Sequence, residues 1–283
     1  MEPMVRVEGL TKVFGKGCHE CLVLTGPEHG GNLCTSCGSV VACADVTFDL
    51  YEGEVLGVVG ESGSGKSSLV RLLHFDWDAT AGAFYLNGHH PGDGGVRVDG
   101  NLLSASSYQK KGVRDRTMGI VYQNPNLGLR MDISAGGNIA EKLLAAGWRH
   151  VGRIRERAAG LLEKTEIPVQ RMDEPPSRFS GGMQQRVQIA KALSNNPKIL
   201  LLDEVTTGLD LSVQARVLDL IRGLQREFHL SMIVVSHDLG VIRLLCQRTL
   251  VMRYGRVVEM GLTDQILEDP QHPYTQLLVN SQL

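Results

Sequence analysis

The chain has 283 residues, enough for one large α/β domain or for a core domain carrying a subdomain. Its 42% apolar and 21% charged residues are the balance of an ordinary soluble globular protein, and a formal charge of −2 gives no electrostatic basis for direct nucleic-acid binding. No apolar run approaches the roughly 20 residues that span a bilayer.

The opening MEPMVRVEGL lacks a charged segment followed by an apolar one, so a cytoplasmic location is expected. Residues 4–10 (MVRVEGL) alternate like an edge strand, and 40–50 (VVACADVTFDL) resume the alternation. Between them CHECLVLTGPEHGGNLCTSC holds four of the six cysteines, as two Cys-x-x-Cys pairs. EVLGVVG, at 54–60, is a buried strand running into a glycine-rich loop and then the helix KSSLVRLLH. Gly92 to Gly95 mark an exposed turn, with His89 and His90 in a solvated loop. Residues 124–184 carry helical patterns and no strong strand, which predicts an inserted helical subdomain. KILLLDE and SMIVVSHD are two further buried strands. The helix between them places Val217, Leu220, Ile221 and Leu224 on one face. Strand, helix, strand with polar ends predicts a parallel sheet whose chemistry lies at the carboxyl ends of its strands.

GESGSGKS fits the phosphate-loop pattern G-x-x-x-x-G-K-[ST]. Its nucleotide-contacting set is Gly60, Ser62, Gly63, Ser64, Gly65, Lys66, Ser67 and Ser68. The glycines let backbone N–H groups turn toward phosphate oxygens, and the helix dipole adds to the attraction. Lys66 is expected at the β- and γ-phosphates and the Ser67 hydroxyl on Mg²⁺. ILLLDE then supplies Asp203 for the metal and Glu204 to polarise an attacking water.

With these motifs, FSGGMQQRVQIAKAL makes the chain resemble the ATP-binding cassette family over nearly its whole length. The resemblance implies a single cassette ATPase domain over 1–283, with an antiparallel β subdomain and the helical subdomain. It implies that Ser180, Gly181 and Gly182, with Gln184 nearby, face the γ-phosphate held by a second cassette subunit. Two ATP molecules would then be sandwiched in a head-to-tail dimer, either a homodimer or a pair with a related cassette protein. The usual fifth residue, Gln, is Met183 here, so no side-chain role is expected at that position; Val205 replaces a usual proline. Gln123 matches the Mg²⁺-sensing loop, Asp210 the dimer-contacting loop, His237 the γ-phosphate switch, and Phe14 the aromatic that stacks on adenine.

HPYTQLL near the C-terminus resembles the oligopeptide and dipeptide importer branch, whose cassettes drive a membrane permease. GLRMDISAGGNIAEKLLAAGWRHVGRIRERA, EIPVQRMDEPPSRFSGGMQQR and GLDLSVQARVLDLIRGL resemble instead the cassette ATPases of the carbon–phosphorus lyase system. That resemblance implies docking on a soluble lyase core that breaks down phosphonates. Cassette proteins acting on nucleic acid or ribosomes usually carry two cassettes in one chain, and this chain has one.

The cassette pattern is interrupted by the cysteine segment. Cys18, Cys21, Cys34 and Cys37 have the spacing of a tetrahedral, ribbon-like structural zinc site, expected as an insertion over 17–40. Iron is the alternative metal. The four thiols complete a ligand set without His19 or His29, and Cys43 and Cys246 read as buried packing residues. The ordered segment would serve either to dock a partner or to cap the sheet edge.

Overall fold

The elements of the computed structural model follow in chain order. The first are β1 (Val5–Phe14), β2 (Val40–Leu50), β3 (Val55–Val59), α1 (Lys66–Leu73), β4 (Ala81–Leu86), α2 (Ser107–Arg116) and β5 (Met118–Val121). Next come α3 (Pro125–Gly128), α4 (Ala135–Ala145), α5 (Val151–Lys164), α6 (Gly181–Ala192), β6 (Ile199–Asp203) and α7 (Leu211–Phe228). The last are β7 (Ser231–Val235), α8 (Leu239–Leu245), β8 (Arg248–Arg253), β9 (Arg256–Leu262), α9 (Thr263–Glu268) and α10 (Pro273–Asn280). The structure describes residues 2–87 and 100–281; the turn expected at Gly92 to Gly95, with His89 and His90, lies outside the described residues. The chain divides into two compact units, Met1–Lys110 with Ile233–Leu283, and Lys111–Met232.

In the first unit β2, β1 and β4 form an antiparallel sheet in that order. β1 pairs on both sides, Val7 opposite Phe48 and Phe84, so it is the central strand and not the expected edge. Its alternation records one packed and one solvated face, a pattern that carries no information about how many neighbours a strand has. Val5, Val7 and Leu10 pack inward with Phe48, Leu50 and Phe84. β3, buried at every residue, lies parallel to β8, and β8 returns antiparallel as β9 through Tyr254 and Gly255. Both turn residues have positive φ, 47° and 81°, as a tight two-residue hairpin requires.

In the second unit β5 lies parallel to β6, with Val121 opposite Leu202. The described residues of 124–184 hold α3, α4, α5, two 3₁₀ turns and the start of α6, and no strand. Ser134 caps α4 through the Gly137 amide, and His150 caps α5 through the Arg153 amide. α7 buries Val217, Leu218, Ile221 and Leu224, while Leu220 sits half-buried on the flank of that face. Among the described residues no helix is long and apolar enough to cross a membrane.

Candidate functional site

In the first unit, the phosphate loop leaves β3 at Gly60 and enters α1 at Lys66. Two of its glycines are required by space as well as by conformation. Gly60 has φ 147°, and a Cβ there would lie 2.2 Å from the Met252 carbonyl oxygen. Gly65 has φ 106°, and a Cβ there would lie 2.3 Å from the Ala42 carbonyl oxygen. No side chain fits either position without moving a strand. Lys66 is buried, its Nζ donating to the Gly60 carbonyl at 2.7 Å and the Glu61 carbonyl at 2.9 Å. The Ser64 hydroxyl is buried without a hydrogen-bond partner among the described residues. Ser67 and Ser68 lie in the first turn of α1, whose dipole favours an anion at the loop.

His237 is exposed two residues past β7, after buried Ser236, and the next residue, Asp238, caps α8 through the Gly240 amide at 2.8 Å. Phe14, at the end of β1, is 37% exposed and meets the edge of Trp77 at 5.1 Å, with Lys12 Nζ 4.9 Å from its ring centroid. A partly exposed ring fixed on one side is available for stacking on the other.

In the second unit, buried Asp203 ends β6, and Glu204 follows with φ 47°, an uncommon backbone for a residue with a side chain. The structure brings Gln123 and Glu204 together: the Gln123 amide donates to Glu204 Oε2 at 2.9 Å, and Thr207 Oγ1 donates to the same oxygen at 3.3 Å. Ser180 caps α6, its hydroxyl accepting from the Met183 amide at 3.4 Å, so the exposed Gly181 opens the helix. Gln184 turns back on the loop that precedes the helix, donating to the Pro176 and Phe179 carbonyls at 3.0 and 3.1 Å. Met183 accepts from Arg171 through its sulfur. Asp210 caps α7, accepting from the Val213 amide and the Ser212 hydroxyl, and these bonds hold its carboxyl below the usual range.

Two residues on α6 that the sequence motifs do not single out grip the loop carrying Gln123. Gln188 accepts from the Tyr122 amide at 2.9 Å and donates to the Tyr122 carbonyl at 3.0 Å. Gln185 donates to the Gln123 carbonyl at 3.1 Å. Both side chains are buried, three residues apart on one helical face; in GGMQQRVQIAKA they stand among other polar residues, so nothing in the sequence singles them out.

The four cysteines form one cluster in the first unit, and they are the described metal-ligating group of that kind, with all Sγ atoms within 4.8 Å. Three Sγ separations are 3.6, 3.7 and 3.5 Å. A zinc ion with Zn–S of about 2.3 Å needs tetrahedral edges of about 3.8 Å, so the donor set fits. The Ser39 hydroxyl and amide lower the Cys37 thiol to about 6, while within the same metal-free cluster the Cys18 and Cys21 thiols are raised. Cys43 and Cys246 are buried elsewhere; burial pushes Cys43 up to about 12 and Cys246 higher, which makes both inert.

The ABC transporter family matches residues 43–207, and the C-terminal region of oligopeptide/dipeptide transporters matches 258–283. The chain is 50% identical over 240 residues to the phosphonates utilization ATP-binding protein PhnK of Escherichia coli, covering 85% of this chain and 91% of that one. It is 39% identical to the oligopeptide transport ATP-binding protein OppD of Bacillus subtilis, covering 84% of this chain and 65% of that one. The dimeric, post-hydrolysis structure of the ATP-binding cassette MJ0796 bound to ADP and Pi matches with a TM-score of 0.74 and 26% identity, covering 92% of this chain and 99% of that one. With more than half of its length matched by the family and a relative half identical to it, the chain belongs to the ATP-binding cassette family and is an ATP hydrolase.

Proposed function

We propose that the chain is a cytoplasmic ATP-binding subunit for phosphonate utilisation, docking on a soluble carbon–phosphorus lyase core. The observation that carries this reading is the 50% identity to a protein named for phosphonates utilization, against 39% to an importer subunit. The importer reading, with a membrane permease as partner, is favoured by the C-terminal match at 258–283. Affinity purification from cells growing on a phosphonate as sole phosphorus source tests the choice. Recovery of soluble lyase subunits supports the first reading, and recovery of a permease supports the second.

Within hydrolysis, Lys66 and the loop amides are assigned to the phosphates and Phe14 to adenine. Ser67, Asp203 and Gln123 offer the hard oxygen donors that suit Mg²⁺, which would neutralise phosphate charge when bound. Glu204 takes the water-polarising role, oriented by its bond from Gln123, and His237 the γ-phosphate contact. Ser180, Gly181 and Gly182 are assigned to the γ-phosphate of a second cassette subunit, which makes the active species a head-to-tail dimer. The bonds of Gln184 to its own loop support a bracing role for that side chain. Glu204→Gln is expected to bind ATP and not turn it over; hydrolysis at the wild-type rate would remove Glu204 from this role.

Cys18, Cys21, Cys34 and Cys37 would hold one structural zinc, which contributes folding free energy to the segment when bound. Metal analysis of the purified chain is expected to find one zinc per chain, and Cys18→Ser with Cys21→Ser is expected to lose it. Iron in its place would keep the site and change its metal.

A further inference from the structure

The HPY sequence at 272–274 is used by none of the assignments above, yet its tyrosine reaches the phosphate loop. The Glu61 amide donates to Tyr274 Oη at 3.0 Å. We propose that Tyr274 is a positioning residue for ATP binding, its hydroxyl fixing the first peptide of the phosphate loop so that the following amides stay turned toward the nucleotide. The inference rests on the binding of ATP by the loop.

Each residue of the triplet has a physical task. His272 caps α10, its Nδ1 accepting from the Tyr274 amide at 3.1 Å, and Pro273 sets the first helical φ. Glu259 on β9 accepts from the Gln271 and His272 amides at 2.7 and 3.1 Å, which ties the start of the helix to the sheet. Burial raises its carboxyl, but the Thr275 side chain and these two amides together hold it below the usual range. Tyr274 is therefore delivered from a fixed backbone. Its ring is 2% exposed, with the Arg253 guanidinium 4.6 Å from its centroid. Burial pushes its phenol up, so the hydroxyl stays protonated at neutral pH.

The Gly60–Glu61 peptide is held on both sides. Its N–H, on Glu61, bonds outward to Tyr274, and its carbonyl, on Gly60, accepts from Lys66 Nζ at 2.7 Å; the next carbonyl, on Glu61, accepts from Lys66 Nζ at 2.9 Å and from the Ser64 amide at 3.1 Å. The neighbouring wall is the end of β8, where the Met252 carbonyl blocks any side chain at Gly60. The Gly255 amide in the adjoining turn bonds the Ser64 carbonyl at 2.9 Å. The loop is thus gripped from the C-terminal segment at Gly60, Glu61 and Ser64. Removing the tyrosine oxygen frees the Gly60–Glu61 peptide to rotate, and with it the Gly60 carbonyl that Lys66 engages.

The test is Tyr274→Phe, which keeps the ring under Arg253 and deletes one oxygen. ATP affinity is measured by equilibrium binding, and KM and kcat by steady-state hydrolysis. ATP binding is expected to weaken about two- to tenfold, the range of one neutral hydrogen bond, with KM rising in step and kcat at saturating ATP kept within about twofold. Leu277→Ala, exposed on the same helix, is expected to match wild type. Unchanged ATP affinity in Tyr274→Phe overturns the proposal, as does a fall in kcat with unchanged KM, which is the signature of lost folded enzyme. Lys66→Ala separates the two layers. If it leaves ATP affinity intact, the role of the loop fails and the proposal with it. If it abolishes binding while Tyr274→Phe is silent, the tyrosine assignment alone fails.

Discussion

Chelation of the metal assigned to the cysteine cluster is expected to unfold residues 17–39 locally and leave the cassette core intact. The small core of this segment is Cys21, Cys34, Val41 and Ala44, with Val13, Cys18 and Leu24 against it, so the cysteines are themselves much of what packs there. Leu22, Val23 and Leu33 point outward at 41%, 69% and 58% exposure and add little burial. The backbone bonds that would open are short-range: the Cys21 amide to Cys18, Gly38 to Cys34, and Cys34 to Ser39. With free zinc held at 100 times its Kd, linkage stabilises the bound state by about 2.7 kcal/mol. Amide hydrogen exchange reads this directly, as a roughly 100-fold faster exchange of Cys21, Cys34 and Gly38 on chelation. The buried amides of β3 are expected to keep their protection. Equal protection of the cysteine segment with and without chelator would refute the reasoning, as would an absence of metal in the untreated protein.

Gly65→Ala is expected to abolish ATP binding in a nucleotide titration, because the added Cβ meets the Ala42 carbonyl at 2.3 Å and the backbone sits at φ 106°. Gln188→Ala removes two hydrogen bonds from a buried side chain to the Tyr122 amide and carbonyl and is expected to cost about 1–3 kcal/mol in denaturant unfolding, with a lower kcat from a loosened Gln123. The Asp210 carboxyl is lowered in the folded state, so its stabilisation is present above the ordinary carboxylate value of about 3.9 and is lost as pH falls through the depressed value. Asp210→Ala is therefore expected to be less stable than wild type at pH 7, and the difference to vanish in strong acid; a pH-independent difference would assign the effect to something other than the charge. Mixing Ser180→Arg with Lys66→Ala chains is expected to restore part of the ATPase activity through one intact composite site, and full activity of Ser180→Arg alone would contradict a shared site.

The phosphate loop, the acidic pair after β6 and the cysteine pairs were legible in the sequence because each depends on local spacing. Backbone turned around an anion needs glycine at fixed positions, a buried parallel strand reads as an unbroken apolar run, and a thiolate tetrahedron needs two short Cys-x-x-Cys knuckles. What the sequence could not convey was how many neighbours each strand has. MVRVEGL shows the alternation of a one-sided strand, and only pairing with both β2 and β4 made it central. β4, β5, β8 and β9 went unread because they are short or flank glycines, and their strand character comes from partners distant in the chain. The tertiary structure alone decided which side chains do the holding. Gln185 and Gln188 are 62 and 66 residues from the backbone they grip, and Tyr274 is 213 residues from Glu61. Such hydrogen bonds join one side chain to a backbone group that every residue possesses, so neither partner leaves a mark in sequence; folding creates the pairing by burying both groups where water cannot satisfy them.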